Sequence, residues 1–430
     1  MPDLVPRHLL SLAREALDTF PAIVIQGARQ VGKSTFAHMV VQDRPYIHIS
    51  LDDQEYRNAA RDDPRSIAEL MPSGTVVIDE IQRDLDLTVA LKSSIDSNRR
   101  PGRFILTGSS DLLRLTRNPD SLAGRAVTIN LYGFSQGEIR GRKEDFATWI
   151  RTSPDATRIE TAWTRDDYVS ALVVGGYPEV GTFNARMRNL WLDSYCDRVL
   201  SRDVGDVSRG LSTDRLAAVL RLIAANQSGE MVQTRLASSL GMAKSSIAAY
   251  LNALQTMYLT TDLPPWGANL TSREVSRHKV SVTDSAVAMR LDHLDQASLL
   301  GVDGLAQSKV LGGLLEGFVV SELIKQSGWS EQAYDLYHFR DSEGIEVDVV
   351  MEFENGDVVL IEVKAASSYG SNHTAGIRAL AKRLGDRFRC GIVLGTSDRG
   401  FVLGDRIIGL PISTLWEHPS LDVGGRGVRT

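Results

Sequence analysis

The run GARQVGKST, from Gly27 to Thr35, constrains this chain more than any other stretch. It fits G-x-x-x-x-G-K-[ST] through Gly27, Gly32, Lys33 and Ser34. An apolar, strand-like AIVIQG precedes it and a helical STFAHMVVQ follows. In that setting glycines let the backbone wrap phosphate oxygens, and N–H groups of the loop and helix start donate to them. The whole loop, Gly27, Ala28, Arg29, Gln30, Val31, Gly32, Lys33, Ser34 and Thr35, is expected to cradle ATP. Lys33 would neutralise the β- and γ-phosphates, and the Ser34 hydroxyl would ligate Mg²⁺.

Such a loop needs a sheet to carry it. Short apolar runs at residues 22–27, 46–51, 75–80, 103–108 and 126–131 read as five strands separated by helical segments. Continuous apolar runs suit a parallel sheet covered on both faces, hence an α/β layer fold. TVVIDEIQR delivers Asp79 and Glu80 to a strand's C-terminal end, where open α/β sheets bind ligands. Asp79 is expected to hold the Mg²⁺ hydration shell, and Glu80 to orient or deprotonate the attacking water. That second acid argues for hydrolysis rather than binding alone. In FILTGSS, Thr107 or Ser109 could sense the γ-phosphate, although hydroxyls are also common at strand ends. Arg125 in SLAGRAV reads either as an arginine finger for a neighbouring subunit or as an ordinary surface arginine. The finger would require a homo-oligomer.

At 430 residues the chain is expected to hold two or three domains. The boundaries read as 1–205 for the ATPase part with a helical closing segment, 206–300 for a winged-helix domain, and 305–430 for a final α/β domain. A net charge of −6 gives no overall attraction to nucleic acid, so DNA binding would need a local basic face. The first twenty residues carry charges where a secretion signal needs an apolar stretch. No apolar run approaches the roughly 18 residues of a membrane span. Lone Cys196 and Cys390 complete the picture of a cytoplasmic protein with no membrane partner.

A second constellation lies near the C-terminus, in GIEVDVVMEFENGDVVLIEVKA. Odd-numbered positions are apolar on both strands, and opposed residues of an antiparallel pair share a face. Keeping the two apolar sets together demands a three-residue loop at Glu354–Gly356, with glycine in the left-handed position. That register sets Asp348 across from Glu362 and Glu346 across from Lys364. One face is then apolar and the other polar. Without more, those charges read first as the wet side of a half-exposed hairpin.

Taken together, GARQVGKST, VVIDEIQ, ILTGSS, LAGR, GGYPE and YCDRVLSRDV resemble the prokaryotic AAA-type ATPases that end in a restriction-endonuclease-like domain. The resemblance spans nearly the whole chain and implies an ASCE-type P-loop core, a winged helix and a nuclease-like fold. In that fold Asp348 and Glu362 hold Mg²⁺ and Lys364 positions water against a scissile phosphate. An acid from the preceding helix completes the metal set, with Glu316 the best match and Glu322 the second. Val347 stands where the motif has proline. The asparagine sensor of AAA proteins has no counterpart beyond Thr107 and Ser109.

In the middle segment, helices broken at Gly241 suit a helix-turn-helix. Lys244, Ser245 and Ser246 would open its recognition helix, and REVSRHK, Arg273 to Lys279, would form a basic wing. The expectation is an Mg²⁺-dependent ATPase whose nucleotide state governs a nucleic-acid-facing C-terminal domain that could be a nuclease, with DNA the expected partner. The alternative is a nucleotide-gated binding protein whose nuclease-like domain is inactive.

Overall fold

The computed structural model describes residues 4–111, 122–203, 210–267, 277–301 and 304–419. Its first sheet contains β1 (Ala22–Gln26), β2 (Tyr46–Ser50), β3 (Thr75–Asp79), β4 (Phe104–Gly108) and β5 (Ala126–Asn130). All five expected strands are present, all parallel, in the order β2-β3-β4-β1-β5. Alternate residues face two cores. Ile23, Ile25, Val77 and Ile105 pack with the helices Leu10–Thr19 and Lys33–Val41 on one side. Val24, Ile78, Phe104 and Leu106 meet the helix Leu87–Ser97 on the other. Insertion of β4 between β1 and β3 places Thr107 beside both the loop after β1 and the acids after β3. In a parallel sheet these positions share one edge.

The closing segment forms the helices Arg165–Val174 and Ala185–Arg198. The middle segment follows with the helix Thr213–Ala224, β6 (Gly229–Glu230), the helices Gln233–Ser239 and Lys244–Thr256, β7 (Thr260–Leu263) and β8 (Lys279–Val282). Its small antiparallel sheet has the order β6-β8-β7. Gly241 takes the left-handed φ of +58° that the break between the two helices requires. Arg273 to Ser276 of the expected wing lie outside the described residues.

The long helix Gly304–Ser327 leads into β9 (Tyr334–Arg340), β10 (Glu346–Phe353), β11 (Val358–Val363), the helix Ala375–Leu384, β12 (Phe388–Gly395), β13 (Phe401–Gly404) and β14 (Ile407–Pro411). These six strands form a mixed sheet, β13-β14-β12-β11-β10-β9. The expected hairpin register holds: Val349 pairs with Ile361 and Met351 with Val359. Gly356, at φ +83°, closes the three-residue loop.

The expectation of a half-exposed hairpin is corrected. Both faces are covered, because Val350, Val358 and Leu360 pack under the helix Ala375–Leu384 through Ile377 and Leu380. Val349, Met351, Val359 and Ile361 face the larger core. That larger core is continuous from Leu17 and Ile25 of the first part, through Leu216 and Leu254 of the middle, to Leu315 and Trp416 of the last. No helix among the described residues is long and apolar enough to cross a membrane.

Candidate functional site

The loop after β1 runs close under β5. A Cβ on Gly27 would stand 2.0 Å from the Leu131 carbonyl oxygen, so only glycine fits there. Gln30 and Gly32 take left-handed φ values of 63° and 93°, which turn the loop into the helix Lys33–Val41. The Lys33 ammonium donates to the carbonyls of Gly27 at 3.1 Å and Ala28 at 2.8 Å. It therefore lies over the cradle that the loop encloses.

The expected partners converge on this loop. Ser34 Oγ donates to Asp79 Oδ2 at 2.7 Å, and the Thr107 hydroxyl donates to the other carboxylate oxygen. The Glu80 N–H donates to Thr107 Oγ1 at 3.3 Å. A hydroxyl and a carboxylate oxygen side by side suit a hard cation such as Mg²⁺, so the donor set of Ser34 and Asp79 fits that ion. Glu80 has a left-handed backbone, φ 59°, uncommon for a residue with a side chain and of a kind that clusters at functional sites. Burial pushes its carboxyl above the usual range, with Asp79 and Asp52 adding to the effect against Lys33 and Gln82. A raised pKa makes the carboxylate a better base.

Gln82 was given no role by sequence reasoning. Its amide donates to the Glu80 carboxylate and, at 2.8 Å, to Ser109 Oγ. Ser109 also donates directly to the Glu80 carboxylate at 3.4 Å, so Gln82 and Ser109 together hold that acid. The available signal was the spacing in DEIQ, because the one-turn helix Ile81–Arg83 folds Gln82 back over Glu80.

Arg125 is not brought to this edge. It immediately precedes β5, at the opposite end of the sheet, and its guanidinium forms a two-point pair with Asp96 at 2.7 and 2.9 Å.

In the last part, Asp348 and Glu362 come together as expected, with Lys364 Nζ 3.3 Å from the first and 2.7 Å from the second. Glu316 joins them. Glu322 does not: it is fully buried elsewhere, accepting from the Gln136 N–H at 2.8 Å and from Lys325 at 2.6 Å. Glu346 points away from Lys364. Its carboxylate lies 3.0 Å from Lys279 Nζ and 3.6 Å from Arg340.

Lys279 corrects a second expectation. Rather than lining a basic wing, it opens β8 with its side chain only 4% exposed. Its ammonium lies 2.8 Å from Glu316 Oε1, 3.0 Å from Glu346 Oε1 and 3.3 Å from Asp348 Oδ1. Burial lowers its pKa, but Glu316, Asp348 and Glu346 outweigh burial and hold the amine charged. Burial and Asp348 push the Glu316 carboxyl up to about 8 against Lys279. Burial and Asp348 do the same to Glu362, to about 8, against Lys364. Burial would raise Asp348 as well, yet Lys279, Lys364 and the Val363 N–H together keep it below its ordinary value. Among the described residues no group of three or more His, Cys, Asp or Glu is arranged to hold a metal. The expected set of Glu316, Asp348 and Glu362 does not fit an ion as arranged, because Lys279 lies against Glu316 and Asp348, and Lys364 against Asp348 and Glu362.

Lys244 and Ser245 are exposed at the start of their helix and Ser246 is half-buried. Beside them a groove of about 570 Å³ is lined by Lys244, Asn252, Gln255, Arg277 and His278.

An AAA domain family matches residues 19–140. Two domains of unknown function match residues 165–298, as DUF8612, and 311–415, as DUF4143. Uncharacterized proteins of Mycobacterium tuberculosis and Mycobacterium bovis are each 26% identical over 424 residues, covering 97% of this chain and 86% of their own. Among solved structures, the Walker-type ATPase of Pyrococcus abyssi overlaps 67% of this chain and 96% of its own at 16% identity, with a TM-score of 0.42. The family match bears out the AAA-type part of the expectation and leaves the nuclease-like part where the residues left it. Residues 19–140 thus resemble the AAA domain family, and they carry the phosphate-loop motif on a parallel sheet.

Proposed function

We propose that the protein is an Mg²⁺-dependent ATPase that couples nucleotide state to a C-terminal domain of restriction-endonuclease-like fold facing nucleic acid. The observation that carries the reading is the contact set Ser34–Asp79–Thr107–Glu80 at one sheet edge. ATP would lie in the loop with its β- and γ-phosphates on Lys33. Thr107 holds Asp79, and Gln82 holds Glu80 for the attacking water. Mg²⁺, when bound, supplies charge neutralisation at the phosphates. Arg125, fixed by Asp96 at the far end of the sheet, would complete only a neighbouring copy's site.

The route from nucleotide to the rest of the chain is short. Four residues beyond Thr107, the Asp111 N–H donates to the Thr256 carbonyl at 2.9 Å, at the end of the helix Lys244–Thr256. Tyr258 donates to Asn130 Oδ1, at the end of β5, at 3.1 Å. Both contacts lead directly into β7, which pairs with β8 and so with Lys279. Hydrolysis that shifts Thr107 would be felt there.

Turnover measurements test this. ATP hydrolysis should require Mg²⁺ and stop with EDTA, and Lys33→Ala should retain no ATP at concentrations that saturate the wild type. If Arg125 acts across subunits, Arg125→Ala should lose about 10³–10⁵ in rate, as for other arginine fingers. In that case the wild-type rate per chain should also rise with protein concentration. Metal-independent turnover, or a Lys33→Ala variant that hydrolyses normally, would sink the reading.

For the middle segment we propose a winged-helix role in nucleic-acid contact through Lys244, Ser245 and the groove beside Arg277. Duplex DNA affinity should fall linearly in log–log against salt, with a slope of about −0.9 per phosphate neutralised. Affinity independent of salt would favour a protein partner instead. The second reading, a nucleotide-gated protein whose nuclease-like domain is inactive, is favoured by one specific observation: Lys279 fills the acid cluster.

A further inference from the structure

The acid cluster belongs to the C-terminal part, but the cation inside it does not. Glu316 comes from the long helix, Glu346 and Asp348 from β10, whereas Lys279 comes from β8 of the middle segment. Three carboxylates, one from the long helix and two from β10, approach one ammonium within 3.3 Å, and the side chain is almost wholly buried. We propose that Lys279 is a tethered stand-in for a divalent cation, so that docking of the middle segment and binding of a metal at Asp348 exclude each other.

The surroundings support a seat built by two parts of the chain. The backbone just past β7 bonds to β9. The His338 N–H donates to the Pro264 carbonyl at 2.9 Å, and the Trp266 N–H donates to the His338 carbonyl at 2.6 Å. His338 Nε2 meets the Arg277 carbonyl at 2.9 Å, two residues before Lys279. Arg277 and Arg340 both approach Glu230 of β6, at 3.7 and 3.9 Å. The lysine is therefore held in place by docking and does not merely swing into an acidic surface. Lys364 stays on the other side of Asp348, bonded to Oδ2, while Lys279 takes Oδ1. Removing the buried ammonium takes from Glu316 its cation and leaves Asp348 with Lys364 and Glu346 with Arg340, a charge deficit that a hard dication with oxygen preference relieves.

The idea goes beyond the proposed function, since it concerns which cation the cluster holds and not whether the domain cleaves anything. Its test reads metal binding in the full chain without nucleotide, using Mn²⁺ alone as the probe and calorimetry as the readout. Wild type should bind no Mn²⁺ that depends on Asp348. Lys279→Met should bind about one per chain, and adding Asp348→Asn should abolish it. If Lys279→Met is unstable, Mn²⁺ should raise its unfolding midpoint but not that of the double variant. In wild type, acetylation followed by mass spectrometry should find Lys279 protected relative to exposed Lys244. Asp348-dependent Mn²⁺ binding by wild type, no gain in Lys279→Met by either readout, or Lys279 acetylated as fast as Lys244 would overturn the proposal. ATP binding measured in the same samples reports separately on the nucleotide site.

Discussion

Glu80→Gln should bind ATP as the wild type does and lose about 10²–10⁴ in turnover, the usual contribution of a positioned general base. The geometry predicts this separation of binding from chemistry. The phosphate contacts are proposed for the loop and Lys33, whereas Glu80 sits beyond Asp79 on its left-handed backbone. Glutamine keeps the size and the link to Gln82 but cannot accept the water's proton. Equilibrium binding of a fluorescent ATP analogue, run beside steady-state phosphate release, measures both quantities. Turnover reduced less than about tenfold would mean that another group activates the water. A parallel loss of binding would mean that Glu80 is structural.

The second large effect concerns the joint between the parts. Trp416→Ala should destabilise the whole chain by about 3–5 kcal/mol, as for other fully buried aromatics. The indole is 1% exposed and meets Trp163 at 5.0 Å, Phe318 at 6.0 Å and Tyr168 at 6.4 Å between ring centroids. Its N–H has no hydrogen-bond partner among the described residues, so ring packing holds it, with the Arg140 guanidinium 6.0 Å from its centroid. Trp163 and Tyr168 belong to the segment that closes the ATPase part, and Phe318 to the long helix. A urea melt monitored by circular dichroism gives the loss. A change below about 1 kcal/mol would show that this joint yields before the cooperative transition.

Local rules made much of this structure legible from sequence. Apolar runs of four or five residues fixed the parallel strands, and the spacing of Gly27, Gly32, Lys33 and Ser34 fixed the loop. Parity fixed the hairpin register, because a one-residue slip would have turned Val349 and Ile361 to the other face. What escaped was long-range. Lys279 meets Glu316 and Asp348 across 37 and 69 residues of sequence. Its neighbours Arg277 and His278 made it look like one of a solvated basic run. The hint lay in the alternation Lys279, Val280, Ser281, Val282, a strand too apolar for a free wing. Burial of the hairpin's polar face was likewise invisible, since only tertiary packing sets the helix Ala375–Leu384 over it. There a Cβ on Gly376 would come within 2.0 Å of the Glu346 carbonyl.

The continuous core bears on how such a chain can change over evolutionary time. Segments joined by exposed linkers can be shuffled as cassettes, each carrying its own interior. Here Leu216, Leu315 and Trp416 share an interior with Ile25, so a cut between the parts would leave wide apolar faces open to water. Loss or replacement of one part would demand simultaneous repair of the others' surfaces. The three parts are thereby tied to inheritance as a unit, and a new specificity is more readily reached at exposed positions such as Lys244 than by exchanging a whole segment.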